Sequence, residues 1–174
     1  PPPYPRRLRV VGLGSGDARP RAVRWPPLRR LGLGSSVVLS IDSEVVEAII
    51  AHARRDHPDE ACGVVAGPTG SDRPLRLVPM VNAERSPTFY RFESLEQLAV
   101  WREMDQRDEE PIVIYHSHTA TEAYPSRTDI AYAAEPAAHY VVISTRETDT
   151  VEIRSFRIVD GEVTEEEVQV TGRE

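Results

Sequence analysis

The sequence contains no lysine, a single cysteine and no apolar run of bilayer-spanning length. All 21 basic residues among the 174 are arginine, which points to GC-rich codon bias rather than to a function. The lone Cys62 excludes an intramolecular disulfide and agrees with a reducing cytoplasm, where we expect the protein to reside. A membrane-spanning helix needs about 20 consecutive apolar residues, so we expect no membrane partner.

Charge is distributed unevenly along the chain. Residues 1–37 hold eight arginines against one acid, Asp17. The remainder has 13 basic and 27 acidic residues, and therefore a net charge of −14. Because an acidic body of this kind repels phosphate backbones, nucleic acid is not an expected partner.

The first 37 residues are rich in proline, glycine and arginine and show no helical or alternating pattern. Such a composition buries too little apolar surface to offset chain entropy, so we expect a disordered extension or a non-native start. Interrupting glycines disfavour a secretory signal, and three prolines disfavour the helix of a mitochondrial transit peptide. A basic arm that contacts nucleic acid is the remaining alternative. We expect the folded domain to span residues 38–174.

Regular patterns begin at Ile41. Asp42 or Ser43 can cap a first helix, which ends near His57 because the residue before Pro58 is pushed out of the helical region. A second helix is predicted to open with a capping box of Ser94 and Gln97. Its expected inward face, at helical spacing, comprises Leu95, Leu98, Trp101 and Met104.

Short apolar or alternating runs predict strands, and a short third helix is expected from Ser126 to about Ala134. Pro79 places one strand at an edge or a bulge, and Asp160-Gly161 is a hairpin turn signal. The run 112–116 is apolar on both faces and is therefore expected to be central. The predicted strands are 62–66, 75–81, 88–92, 112–116, 139–144, 151–159 and 162–170. This pattern predicts an α/β (α+β) domain with one mixed central sheet flanked by helices.

Two histidines, His116 and His118, stand at the end of the central strand. Side chains at i and i+2 of a strand share one face, so both imidazoles point the same way and Ser117 turns away. Asp129 lies eleven residues beyond His118 and can complete a set of two nitrogens and one oxygen. Three protein ligands with an open fourth position are typical of catalytic zinc, so the pattern predicts a zinc hydrolase with one Zn²⁺ per chain.

Each member of this set has a structural alternative. A lone histidine at a strand end is usually a satisfied surface or core residue. Ser126 and Asp129 also have the spacing of a capping box at a helix start. One carboxylate is not expected to be both a full cap of the helix and a full metal ligand. If His116 and His118 are ligands, we expect Asp129 to bind the metal.

The spacing of five polar residues resembles a known family. Glu60, then His116-Ser117-His118, seven residues, Ser126, two residues and Asp129 resemble the complete signature of the JAMM (MPN+) metalloproteases. The resemblance covers residues 39 to about 160. It implies a single MPN domain, and an architecture like that of the cytidine deaminases.

The resemblance also implies a role for each residue. His116, His118 and Asp129 are expected to hold zinc, with a water in the fourth place. Glu60 is expected to take a proton from that water and pass it to the leaving amine, and Ser126 to hydrogen-bond the oxyanion. Cys62 is then a buried packing residue rather than a catalytic thiol, with a redox-sensitive thiol as the alternative.

Within the family, the stretch 81–90 is similar to stand-alone bacterial members of the Mec type. These release cysteine from the C-terminus of a ubiquitin-like sulfur-carrier protein, CysO, in cysteine biosynthesis. The expected partner is therefore the tail of such a carrier, and a homodimer is a possible assembly. The alternatives are an isopeptidase that removes a ubiquitin-like modifier from proteins, the JAMM class associated with phages or cell walls, and a non-catalytic MPN scaffold.

Overall fold

The computed structural model describes residues 38–172, which form seven strands and three helices. The helices are α1 (Ser43–Asp56), α2 (Ser94–Gln106) and α3 (Arg127–Tyr132). The strands are β1 (Val38–Asp42), β2 (Cys62–Pro68), β3 (Arg76–Met80), β4 (Glu109–His118), β5 (His139–Ser144), β6 (Glu152–Val159) and β7 (Glu162–Thr171). The extension predicted for residues 1–37 lies outside the described residues.

All seven strands join one sheet in the order β1-β7-β6-β5-β4-β2-β3. The pairs β1–β7 and β4–β5 are parallel, and the other neighbours are antiparallel. The predicted α/β domain with a mixed central sheet is therefore confirmed, while the likeness to cytidine deaminases stays a prediction. No helix in residues 38–172 has the length and apolar character needed to cross a bilayer.

Helix α1 covers one face of the sheet. Asp42 caps it as predicted, its Oδ1 accepting a hydrogen bond from the amide of Glu44 at 2.8 Å. Ile49 and Ala53 are fully buried in a cluster that includes Val113 of β4. Because side chains alternate along β4, Val113 belongs to this face and its neighbour, residue 114, to the other.

Helix α2 covers the opposite face, where the predicted cap is wrong and the predicted inward face is right for only two of its four residues. Glu93 is the N-cap, since its carboxylate accepts from the amide of residue 96 at 2.8 Å, so Ser94 lies inside the helix. Met104 is buried as predicted, and Trp101 is half-buried. Leu95 and Leu98 are instead 76% and 47% exposed. The helix therefore contacts the sheet mainly through its carboxyl-terminal half.

The strand predicted at 88–92 is also wrong, since the structure has only an isolated bridge between Asn82 and Phe92 there. The Asn82 side chain forms hydrogen bonds with backbone groups that would otherwise pair with a neighbouring strand. Its Nδ2 donates to the carbonyl of Phe89 at 3.1 Å, and its Oδ1 accepts from the amide of Arg91 at 3.3 Å. The segment is consequently a loop organised around one buried amide.

Other expectations hold at the edges of the sheet. β3, with Pro79, is an edge strand, and Asp160 and Gly161 adopt φ values of 51° and 82° at the tight hairpin turn between β6 and β7. The sequence patterns did not predict β1, whose buried Leu39 and Ile41 add a parallel strand to β7.

Strand register determines what surrounds the end of β4. In the antiparallel pair β2–β4, Cys62 lies opposite His116. Because the two strands run in opposite directions, extending this register by two residues puts Glu60 opposite His118. A residue 58 positions away in sequence is therefore a neighbour of the second histidine.

Candidate active site

Two histidine side chains leave one face of β4 at its carboxyl end. The Nε2 atoms of His116 and His118 lie 3.1 Å apart. Ser117 points to the opposite face, where its Oγ accepts a hydrogen bond from the amide of Ala61 at 2.9 Å. The two imidazoles of residues 116 and 118 therefore lie together on one face of the strand, as expected from the alternation of side chains.

The third donor comes from the first turn of α3. Oδ2 of Asp129 lies 3.3 Å from Nε2 of His116 and 3.3 Å from Nε2 of His118. The same oxygen accepts from the amide of Ser126 at 2.6 Å, and the amide of Asp129 donates to Ser126 Oγ at 3.2 Å. The capping box and the triad, which we expected to compete for Asp129, therefore coexist on one carboxylate.

The three donor atoms fit a tetrahedral metal ion. Zinc–ligand bonds of about 2.0–2.1 Å at tetrahedral angles place neighbouring ligand atoms about 3.3 Å apart. The triangle formed by the two Nε2 atoms and the Asp129 oxygen has edges of 3.1, 3.3 and 3.3 Å. Two imidazoles and one carboxylate are also the donor types of catalytic zinc sites, and a fourth position is left for water or substrate.

Hydrogen bonds behind His118 orient it for that role. Its Nδ1 lies 3.0 Å from the carbonyl oxygen of Glu122 and 3.1 Å from Oγ1 of Thr121. An Nδ1–H that donates to a carbonyl leaves the Nε2 lone pair of a neutral ring facing Asp129. Acceptor atoms that converge in this way need a proton or a metal cation between them.

Electrostatics of the triad favour a cation. Burial disfavours the charged form of Asp129, yet contacts with His116, His118 and Ser126 hold the pKa of this carboxyl well below its usual range. Burial lowers the pKa of His116, an effect that Asp129 only partly opposes. A carboxylate that stays ionised beside a largely neutral imidazole is suited to metal coordination.

Glu60 is a buried carboxyl beside this triad. It is 5% exposed, and desolvation raises its pKa from 4.5 to about 7, with the charge of His118 lowering the pKa and that of Asp129 raising it. Its amide donates to the carbonyl of Ser86 at 2.9 Å, so its backbone is fixed. A carboxyl with a pKa near neutrality can both accept and release a proton at physiological pH.

Two further residues shape the site, and the sequence patterns assigned neither of them a role. Tyr90 stacks on His116, with ring centroids 4.5 Å apart and an interplanar angle of 22°. Asn82 is buried, and its Nδ2 donates to the carbonyl of Glu60 at 3.0 Å. Both lie in the stretch 81–90, in which the family resemblance was the only feature of the sequence that indicated a link to the site.

Two polar candidates from the sequence remain, Ser126 and Cys62. Ser126 is the exposed N-cap of α3, and its Oγ accepts a backbone hydrogen bond, which leaves the hydroxyl proton free to donate elsewhere. Cys62 is fully buried, with Sγ 3.8 Å from the carbonyl of Met80, and burial raises the pKa of its thiol. A buried thiol with a raised pKa is chemically inert, which favours the packing role.

Two cavities adjoin the site and share no lining residue. One, of about 210 Å³, reaches the triad at Asp129 and is walled by aromatic rings that include Tyr90 and Trp101. The other, of about 440 Å³, is lined by Glu60. The triad therefore has an aromatic cavity at one member and a polar cavity at the adjacent carboxyl.

An α/β domain that gathers a His-His-Asp donor set at the end of a central strand, with a buried glutamate beside it, has the residues of a hydrolase site that can hold a metal ion. Comparison with known proteins gives the particular kind. The chain belongs to the family of prokaryotic homologs of the JAB domain, which matches residues 42–159. Recognition of a JAMM/MPN domain from its polar residues is thereby confirmed.

Individual relatives agree with this family. CysO-cysteine peptidase of Mycobacterium tuberculosis is 68% identical over 137 residues, which cover 79% of this chain and 94% of that protein. A protein of Thermus thermophilus named as a probable TtuB-protein conjugate cleaving protease is 29% identical over 127 residues, 72% of this chain and 80% of that protein. The solution structure of protein DSY2949 from Desulfitobacterium hafniense matches with a TM-score of 0.69 and 31% identity, over 79% of this chain and 94% of that one.

Proposed function

We propose that this protein is a zinc-dependent peptidase that hydrolyses the last amide bond of a ubiquitin-like sulfur-carrier protein and so releases cysteine. The observation that carries the chemistry is the near-equilateral triangle of donor atoms from His116, His118 and Asp129. The substrate rests on the 68% identity to a CysO-cysteine peptidase. We place the reaction in the cytoplasm; a homodimer stays a prediction.

The three donors would hold the metal and leave its fourth position open. When bound, zinc supplies Lewis acidity, which polarises a carbonyl and lowers the pKa of water to about 7. Imidazole and carboxylate donors also bind other divalent ions. We choose zinc because of the ligand types and the availability of the metal, and not because of affinity alone.

Glu60 is the proposed proton carrier. Its burial and its pKa of about 7 let the carboxylate take a proton at neutral pH and return it to the departing amine. Glu60 is not among the clustered donor atoms of the described residues, which supports a role other than that of a ligand. Its backbone is fixed by Ser86, and the register puts it opposite His118, beside the triad.

Ser126 is the proposed donor to the oxyanion. Since its Oγ already accepts the amide of Asp129, its hydroxyl proton can be directed at the oxygen on which negative charge develops. Loss of one such donor typically lowers kcat about 100- to 1,000-fold.

A second candidate, cleavage of conjugates between a ubiquitin-like modifier and proteins, is favoured by the Thermus thermophilus relative, which is named for cleaving protein conjugates. In that reaction the leaving amine belongs to a side chain rather than to a C-terminal residue. A non-catalytic scaffold is disfavoured because the donor set and the buried carboxyl beside it are both present.

Intact-mass spectrometry of a CysO-like carrier ending in Gly-Gly-Cys tests the proposal. We expect the carrier to lose one cysteine residue on incubation with the protein, and to lose nothing when a chelator is present. An intact carrier together with a zinc-loaded protein would remove this substrate and leave the conjugate-cleaving candidate. A protein that binds no divalent metal would overturn the metallopeptidase itself.

A further inference from the structure

The cavity of about 440 Å³ beside Glu60, here called the Glu60 cavity, has no role in the chemistry described above. It is formed by the end of α1, the end of β3 and the loop that follows β3. Because Glu60 must return its proton to the leaving amine, the residue that carries this amine has to lie next to Glu60. The Glu60 cavity, rather than the aromatic cavity at Asp129, is therefore the space available to the leaving residue.

Three of the charged side chains that line the Glu60 cavity, Arg55, Asp56 and Glu96, are already engaged. Asp56 contacts Arg55 Nε at 3.0 Å and His52 Nε2 at 3.0 Å. The carboxylate of Glu96 accepts a hydrogen bond from the amide of Val81 at 2.8 Å. These groups stabilise the cavity wall and leave little capacity for a ligand.

Arg85 is the exception among the cations. Within residues 38–172 its side chain takes part in no ion pair or hydrogen bond, and it is exposed at the cavity. Asp59, at the same cavity, is likewise without a side-chain partner in the part of the chain that the structure describes. The cavity thus offers one free guanidinium in otherwise acidic surroundings.

The backbone holds Arg85 in place beside Glu60. Its φ of 43° lies in the left-handed region, which non-glycine residues seldom adopt and which persists only where the surroundings enforce it. Here the amide of Arg85 donates to the carbonyl of Asn82 at 3.2 Å, and the next residue, Ser86, accepts the amide of Glu60 at 2.9 Å. The backbone that carries Arg85 and the backbone of the proposed proton carrier are therefore joined by hydrogen bonds, and the guanidinium itself stays free.

We propose that Arg85 binds the free α-carboxylate of the residue that leaves, and so restricts the enzyme to cleavage in front of a C-terminal residue. This inference rests on the proposed function. A C-terminal cysteine carries its carboxylate on the carbon next to the leaving nitrogen, whereas a modified lysine inside a protein has no such free group. Guanidinium groups match carboxylates with two parallel hydrogen bonds, and the acidic wall would repel the anion if Arg85 were absent.

The test compares two forms of one substrate. A CysO-like carrier ending in Gly-Gly-Cys is prepared with a free C-terminal acid and with a C-terminal carboxamide, and kcat/KM is measured for both. We expect the wild type to prefer the acid by about 10- to 100-fold, the range for loss of a charge-assisted hydrogen bond. In Arg85→Gln, kcat/KM for the acid is expected to fall to that for the carboxamide or below it, because the anion then faces the acidic wall without a free cation. The carboxamide, which has no carboxylate for Arg85 to bind, is the internal reference.

Arg55→Gln is the matched control, because Arg55 lines the same cavity but is already paired with Asp56. We expect it to keep the preference for the acid. Equal cleavage of both substrates by the wild type, or an equal loss on both in Arg85→Gln, would overturn the role of Arg85 while leaving the peptidase intact. Cleavage of neither substrate would instead overturn the proposed function, so the two failures are distinguishable.

Discussion

Glu166→Gln should destabilise the protein strongly without touching the candidate active site. The Glu166 side chain is fully buried, and its Oε2 contacts Nδ1 of His139 at 2.6 Å and Oγ of Ser155 at 2.8 Å. Its Oε1 accepts from Nε of Arg157 at 2.8 Å. The substitution keeps the volume but replaces a carboxylate oxygen with an amino group, so at least one of these donors then faces another donor.

Removal of one partner from a buried charge network typically costs about 3–5 kcal/mol. For a domain of this size the loss corresponds to a fall in Tm of roughly 10–20 °C. Thermal and urea unfolding at pH 7 measure it. Glu165→Gln is the matched control, since Glu165 is 52% exposed and pairs with Arg154 at the surface, where an ion pair contributes about 1 kcal/mol or less.

The pH dependence of this difference has a definite sign. Burial opposes ionisation of Glu166, but the contacts with His139, Ser155 and Arg157 hold its pKa below the ordinary value. A carboxyl with a depressed folded-state pKa stabilises the protein above its unfolded pKa, about 4.3, and loses that contribution as pH falls through the folded pKa. The stability gap between wild type and Glu166→Gln should therefore narrow in acid.

Metal content and activity of Glu166→Gln should be unchanged below its Tm. His139 begins β5 opposite residue 113, whereas His118 pairs with the last residue of β5. The two positions are five residue steps apart along the strand, which is about 16 Å. A variant within 1 kcal/mol of the wild type at pH 7, or one that lost metal, would refute this account of the network.

Other expectations can be checked with standard assays. His118→Ala should lose bound metal and activity together, by elemental analysis and carrier cleavage. Glu60→Gln should keep the metal and lose activity; loss of the metal would contradict the role of Glu60 as proton carrier. In the metal-free protein at pH 8 the same substitution should not lower the free energy of unfolding, because a pKa raised from 4.5 to about 7 means that the charged carboxylate opposes folding. Gly63→Ala should lower Tm markedly, since a Cβ there would lie 2.6 Å from a ring carbon of Tyr115. Deletion of residues 1–36 should leave Tm and kcat/KM unchanged, because the first strand follows it; an unfolded product would show that the extension is structural.

Local sequence patterns predict the donors of the site better than its supports. The i, i+2 rule is enough to bring His116 and His118 together, and the family spacing points to Asp129 and Glu60. Tyr90 and Asn82 carry no such local signal. Their contacts depend on how the loop of residues 82–91, which follows β3, packs against β4. No periodicity in the sequence predicts that packing.

The errors in the fold have physical causes of the same kind. Strand propensity at 88–92 was overridden by one buried amide, since Asn82 satisfies backbone groups that would otherwise seek a ladder. In α2, helical spacing marked Leu95 and Leu98 as inward, but only the carboxyl-terminal half of the helix reaches the sheet. Tertiary contacts decided both cases.

The misread segment is also the one that completes the site. In a regular strand over 88–92, side chains would alternate between two faces at fixed intervals, so strand pairing would fix the direction of Tyr90. Because the Asn82 side chain replaces ladder hydrogen bonds, the loop can stack Tyr90 on His116 and also present Arg85 at the Glu60 cavity. Asn82 also holds the carbonyl of Glu60, so one amide links the ring behind a metal ligand, the proton carrier and the proposed carboxylate site. A loss of that amide should therefore impair all three together, whereas substitution of Arg85 should lower only the cleavage of substrates with a free C-terminal carboxylate.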